Sequence, residues 1–503
     1  MRMIACLQLG WALGVLLLGT AARGAEYHVS PGGSSAGDGS PDAPWDLETA
    51  LSGAVDPAGK ARIGPGDTVW LHGGTYRGGF ASKLEGTQES PVTVRQATGE
   101  RAIIDTRPRD ERDDGLFNVD GDHSVFWGFE VTCSDPRRET KLSGSWPDDI
   151  RRGGLFSRAS HVKFINLIVH DTAGGFGFWS AGIGGEVYGC LIYHNGWKGP
   201  DRGHGHAIYA QNRHGTKRLI DNVMFNQFGY GIHCYGSEKA FLSGFLIEGN
   251  ACFNNGCLAN LDDRSPGIMV GGGTRVERVT IKDNATYGGS LQLGYYWGGS
   301  NADATVEDNY IAGGLYVRDF EQLTLQGNTI VGQNTLVRFE NPRQFKTSAY
   351  QWDANTYFRS GNQYPAFSVL EGEATKDFDL NAWRQGTGLD HRSHLVQDGR
   401  PDNRVFVRPN RYEPGRAHVV VYNWEKAETV DLDLGQVLSD GMRYRIVSAQ
   451  DFFGPPVLEG TYEGRPVPLP MRPTPPVQPV GMPDYPLPVT EPEFGVFVVL
   501  PVP

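Results

Sequence analysis

Gly231-Ile-His-Cys-Tyr235, Gly267-Ile-Met-Val-Gly271, Ser290-Leu-Gln-Leu-Gly294 and Gly314-Leu-Tyr-Val-Arg318 are four versions of one phrase: a small residue, then a short alternating strand. Gly205-His-Ala-Ile-Tyr-Ala210 is a fifth. Each leads to a second strand-like stretch ending near an Asn: Asn222, Asn250, Asn284, Asn309 and Asn328, spaced by 28, 34, 25 and 19 residues. Asn166 and Asn355 extend the series outward. An irregular period with two or three short strands per unit predicts an all-β solenoid, a parallel β-helix, in which each turn adds one strand to each of several sheets. A propeller would need about four strands in units of about 40 residues or more. The Asn side chains are expected to stack and bond their neighbours along the coil, and Asn tolerates the left-handed turns it needs.

Alternation assigns faces. Ile208, Ile232, Ile268, Leu291 and Leu315 point inward, as do Ala210, Cys234, Val270, Leu293 and Val317. The residues between them, Tyr209, His233, Met269, Gln292 and Tyr316, point outward, with Trp179 expected one coil earlier. Gln211, Tyr235 and Arg318 point outward two residues further on. With strands about 4.8 Å apart, six coils make a wall roughly 24 Å long, suited to an extended ligand.

The rest of the chain frames this coil. Arg2, the apolar run Trp11–Leu18 and the small residues ending at Gly24 read as a secretory signal over residues 1–24, so a secreted or periplasmic protein is expected, with no membrane insertion after cleavage. Residues 25–65 form an N-terminal cap with a short helix starting at Asp46; the coil spans 66–360; residues 361–401 are a linker or second cap, with a helix from Asp379 to Gln385. From Pro401 onward lie 18 of the 31 prolines, and residues 402–503 read as an antiparallel β-sandwich bracing the C-terminal coil end, with carbohydrate binding as its alternative role and Pro473–Pro488 as an extended surface loop.

Net charge −12 argues against nucleic acid as a partner, and the reading is of a monomer. Arg outnumbers Lys 35 to 11, which suits carboxylate contacts. Of the five cysteines after the leader, Cys190, Cys234 and Cys252 read as small core residues, with a Cys252–Cys257 bridge as the alternative.

Tyr27-His-Val-Ser-Pro-Gly-Gly33, Gly66-Asp-Thr-Val-Trp-Leu-His-Gly-Gly-Thr-Tyr-Arg77, Pro91-Val-Thr-Val-Arg95 and Ala102-Ile-Ile-Asp105 resemble the opening of right-handed parallel β-helix proteins. That carbohydrate-active superfamily includes pectate lyases, alginate lyases and chondroitinase B, beside glycoside hydrolases and epimerases. The resemblance covers roughly residues 26–390 and implies the fold and a polysaccharide substrate. No catalytic residue is carried over from it.

Chemistry is expected where loops interrupt the coil on one edge. The first interruption gathers Lys198, Asp201, Arg202, His204 and His206; the second holds Asp262, Asp263 and Arg264; Tyr295, Tyr296 and Trp297 follow the next outward strand. His170 and His194 read instead as members of a structural turn stack. Two mechanisms fit. In β-elimination from a uronic acid polymer, His206 or His233 takes the proton beside the carboxylate and Tyr209 or Tyr235 protonates the leaving oxygen. Arg264, Arg202, Lys198 or a Ca²⁺ held by Asp262 and Asp263 stabilises the developing charge. In hydrolysis, Asp201 pairs with Asp262 or Asp263. The lyase is favoured because cations and His outnumber paired carboxylates; the hydrolase and a non-catalytic glycan binder or surface scaffold are the alternatives. Trp179, Gln211, Gln292 and Arg318 complete the expected substrate-binding set.

Overall fold

A computed structural model describes residues 24–260, 265–296, 298–340, 349–361 and 363–502. Apart from Gly24, the expected secretory signal lies outside the described residues. Three twelve-stranded sheets wind around one apolar core, parallel throughout except for a last antiparallel strand, Ala374–Phe378, in the second sheet. The first sheet runs from Glu26–Val29 to Tyr350–Asp353, the third from Gly74–Arg77 to His394–Gln397. The second, which carries the outward wall, includes Phe176–Phe178, Ile208–Ala210, Ile232–Cys234, Ile268–Gly271, Leu291–Tyr295, Leu315–Arg318 and Val337–Glu340. Glu26–Val29 already pairs with Thr68–Leu71, so the coil starts before Gly66.

The inward columns form because alternation puts one apolar residue per strand over the next. Ile208, Ile232, Ile268, Leu291 and Leu315 stand in register, each fully buried. The turn between the first and third sheets is set by two neighbouring columns. Gly189, Asp221, Gly249, Asp283, Asp308 and Gly327 adopt left-handed φ of 53–70°. Directly after them the Asn side chains form a ladder. The backbone N–H of Asn222 donates to Oδ1 of Asn250, and the pattern repeats through Asn284, Asn309, Asn328 and Asn355 at 3.0–3.1 Å. Each of these amides from Asn222 to Asn328 also donates to the next Oδ1 at 2.9–3.1 Å. Asn166 departs from expectation: at φ 52° it occupies the left-handed column, one residue ahead of the ladder, and its side chain accepts from Asn410 instead. Asn284→Ala leaves the buried Asn250 backbone N–H without its acceptor, while the Asn250 amide keeps the carbonyls of Leu219 and Glu248. The variant should lose about 2–3 kcal/mol, read as a lower urea midpoint.

The second turn column holds Asp171, His194, Asn226 and Asn254 at φ 51–56°. His170 is not in it. It pairs with Tyr193, stacking on that ring at 4.8 Å, between Glu130 at 2.9 Å and Asp171 at 2.8 Å. Burial opposes its charge, but the two carboxylates win and raise its pKa to about 9. Cys190, Cys234 and Cys252 are core residues; Cys252 keeps a free thiol, so the bridge to Cys257 does not form.

Both ends are capped. Asp46 accepts from the Thr49 N–H at 2.8 Å and starts the helix Leu47–Leu51, whose Leu47, Ala50 and Leu51 join the core. Asp379 caps Leu380–Thr387, and its Trp383 stacks on Phe367 at 5.2 Å. No helix among the described residues is long and apolar enough to cross a membrane.

The C-terminal region forms a five-stranded antiparallel sheet, order Arg404–Pro409, Ala417–Tyr422, Phe494–Pro501, Arg443–Ser448, Leu458–Thr461, over the pair Thr429–Leu432 and Val467–Pro470. It does not brace the coil end. Val420, Tyr422, Phe494, Val496 and Val498 pack on Tyr193, Phe225, Phe253, Ala285 and Tyr310, the outer side of the third sheet. Aromatic side chains there make an apolar face that the domain's sheet buries. The segment Pro473–Pro488 is likewise anchored: Val480 donates to Asp171 at 2.9 Å and accepts from Arg138 at 2.8 Å and Arg151 at 2.9 Å. The second sheet's outer side stays uncovered by this domain.

Candidate active site

The outward row of the second sheet reads Gly177, Tyr209, His233, Met269, Gln292, Tyr316 and Arg338 in strict register. Trp179 therefore sits one step further along its strand than expected, level with Gln211 rather than Tyr209. The wall is not one furrow. Met269 is buried, and a depression lies on either side of it.

The first depression is a cavity of about 400 Å³. Its floor is Gly177, Tyr209 and His233, and its sides are Trp146, Phe156, Trp179, Trp197, Arg202 and His204, with His206 and Tyr235 at the margin. Gly177 matters: a Cβ there would lie 2.6 Å from the Phe156 ring. The hairpin Trp197–Lys198 with Gly203–His204 builds one side. His204 stacks on Trp197 at 5.1 Å and bonds Asp201 at 2.9 Å. Gly205 turns the chain at φ 85°, and a side chain there would strike Gly196, so the hairpin delivers His206 to the wall.

The two wall histidines share a hydrogen bond, His206 Nε2 to His233 Nδ1, 3.0 Å. Its direction follows from the backbone. The Tyr230 N–H donates to His206 Nδ1 at 3.0 Å, so that nitrogen has no proton. His206 must carry its proton on Nε2 and give it to His233 Nδ1. His233 is then an Nε2–H donor, and this nitrogen is buried with no hydrogen-bond partner in the protein. Both rings stay neutral: burial, then the neighbouring cation Arg202, lowers His206 to about 3, and burial together with His206 takes His233 well below the ordinary range. His233 is 7% exposed and lines the cavity, with its Nε2 covered. Accepting a proton at His233 Nε2 would put two facing donors or two facing acceptors somewhere along the Tyr230–His206–His233 chain, so the arrangement favours a donor there.

Tyr235 stacks on His233 with ring centres 4.7 Å apart, and Tyr209 meets the same ring edge-on at 5.4 Å. Burial raises the Tyr209 pKa, which keeps its hydroxyl protonated. Beneath this surface Lys217, wholly buried inside the coil, donates from Nζ to the carbonyls of Trp179 and Gln211 at 2.8 Å each. It ties together the strand ends that bear those side chains. Burial lowers its pKa to about 7.

The second depression, about 270 Å³, holds Gln292, Tyr295, Tyr316, Arg318, Arg338 and Glu340. Arg318 is spoken for by Glu340 at 2.6 Å and lies over the Tyr295 ring at 4.7 Å. Lys198, Asp201, Gln211 and Tyr296 line neither depression. Asp262, Asp263, Arg264 and Trp297 lie outside the described residues. Among the described residues no three His, Cys, Asp or Glu side chains come together as a metal site. Sequence reasoning missed Trp146, Phe156, Trp197 and Lys217. Trp146 is 42% exposed and lines the cavity. A Trp inside the polar run Ser143–Asp149 was the available signal.

Residues 175–362 match the family model described as right handed beta helix region. The fold and the matched coils together define a right-handed parallel β-helix protein. Among curated proteins, pectate lyase L of Thermoclostridium stercorarium is 23% identical over 294 residues, covering 49% of this chain and 22% of that protein. The match thus spans about a fifth of that relative's length. Similar solved structures include pectate lyase Pel9A, at 18% identity, TM-score 0.38, covering 70% of this chain and 78% of that one. Another is the GH136 lacto-N-biosidase from Eubacterium ramulus, at 14% identity, TM-score 0.44, covering 74% and 67%.

Proposed function

We propose that the protein is a polysaccharide lyase that cleaves a uronate-containing glycan by β-elimination in the cavity at His233. The observation that carries this reading is the unpartnered His233 Nε2–H, held as a donor by the Tyr230–His206 relay between two phenols. Removing the proton beside a sugar carboxylate pushes charge onto that carboxylate, and a buried donor aimed at it lowers the barrier. The His233 N–H takes this role, with Arg202 at the cavity side. The C–H proton goes to a base, the C–O bond to the neighbouring sugar breaks as the C=C bond forms, and the leaving oxygen receives a proton. Tyr209, held protonated by burial, is the donor to that oxygen. Tyr235 is the group left to accept the proton, acting as phenolate. The name of the pectate lyase relative agrees with this chemistry.

Hydrolysis needs two carboxyl groups across the bond. Among the described residues none lines this cavity, and Asp201 is engaged by His204. A Ca²⁺ at Asp262 and Asp263 remains part of the proposal as a second source of positive charge.

Purified protein mixed with polygalacturonate or alginate is expected to produce the absorbance of a conjugated alkene, and the rate with chelator reports on Ca²⁺. Reducing ends without that absorbance would replace the lyase by a hydrolase. With Tyr235 as base, Tyr235→Phe should abolish turnover. Full turnover in Tyr235→Phe would assign the base to another group.

A further inference from the structure

A second cavity, of about 630 Å³, lies where the third sheet meets the C-terminal domain, away from the wall. Its floor is backbone: Gly288, Gly313 and Gly332 from three successive coils. Tyr287 and Phe358 from the coil and Trp424 from the domain present ring surface to it. Two of its lining residues each carry a buried polar side-chain atom without a partner in the protein. Asn254 is 4% exposed and its Nδ2 has no acceptor; Thr490 is 8% exposed and its Oγ1 is unbonded. Buried donors and hydroxyls are nearly always satisfied in native proteins, because leaving one bare costs about 1–3 kcal/mol. Two in one cavity, contributed by different domains, mark a place built for a polar occupant.

The surroundings specify its chemistry. Aromatic faces beside scattered hydroxyl and amide groups suit pyranose rings, which offer C–H surface on one side and hydroxyls at the edge. Glu493 is taken by Lys426 at 2.9 Å and by the Tyr287 hydroxyl at 2.8 Å. Exposed Arg400 therefore leaves the charge of this group at +1, favouring acidic sugars. We infer that this cleft is a second, non-catalytic glycan site, which holds a short acidic oligosaccharide segment while the wall works on another part of the chain. The inference stands whether or not His233 is catalytic.

The test uses the full chain carrying His233→Ala, so that turnover does not intervene, titrated calorimetrically with trigalacturonate and, separately, cellotriose. Trigalacturonate should bind, and adding Thr490→Val or Phe358→Ala should weaken that binding event at least tenfold. Arg400→Ala should weaken trigalacturonate more than cellotriose. A thermal melt identifies any variant that fails to fold; Arg400, being exposed, gives a variant free of that risk. Binding untouched by all three changes, or none at all, overturns the site. Equal affinity for both trisaccharides overturns its acidic preference.

Discussion

His233→Ala should lower kcat/KM on a uronate polymer by about 10²–10³-fold while the coil remains folded. The size follows from what is removed. On the proposed mechanism, the His233 Nε2–H is a buried donor without a partner that would stabilise the charged transition state without reorganising. Orientation comes from outside the ring: the Tyr230 N–H decides the His206 tautomer, and His206 decides that of His233. His206→Ala should therefore lose nearly as much, and the two losses should not add in the double variant, because both break one relay. The coil tolerates the change because His233 is an outward residue, flanked in its strand by the inward Ile232 and Cys234, which remain. Full activity in His233→Ala would move the reaction elsewhere on the molecule.

Stability should fall steeply in mild acid. Burial holds His194, His206 and His418 neutral down to about pH 3, and holds His233 neutral as well. In the unfolded chain each would take up a proton near pH 6.5. Below that pH the unfolded state binds more protons than the folded one, so stability rises with pH and is lost as pH falls from about 6.5 toward 3. Four such groups contribute a limiting slope of about 5 kcal/mol per pH unit, which Asp221, raised to about 6, and Glu491, raised to about 7, partly offset by taking up protons in the folded state. His170 works at the other end: raised to about 9, its contribution is complete below pH 6.5 and disappears as pH passes 9. Urea midpoints measured from pH 8 to pH 5 should drop accordingly. His194→Asn should remove about a quarter of the slope without harming the fold, since Asn226 and Asn254 hold the same left-handed position in later coils. A flat profile over that range would mean that water reaches these rings.

The contrast between what could be read in the chain and what could not runs through particular residues. The ladder from Asn222 to Asn355, the inward column from Ile208 to Leu315 and both Asp-capped helices follow from local spacing, and all are found as expected. Asn166, His170 and Trp179 were each misplaced by one or two positions, because loops of unequal length between coils leave the register open, and one step decides which column a side chain joins. The docking of the C-terminal domain on Tyr193, Phe225 and Phe253 had no local signature.

Periodicity alone determined that this chain coils, which residues face its core, and that an aromatic and histidine-bearing wall faces out. Those are properties of neighbours along the backbone, where each strand repeats the constraints of the one before. Only the tertiary structure decided that Met269 divides the wall, that Trp146 closes one part of it, and that the Tyr230 N–H meets the His206 ring that bonds His233. Each depends on atoms brought together from distant coils: in the last case one backbone N–H, at Tyr230, whose direction no pattern of side chains encodes.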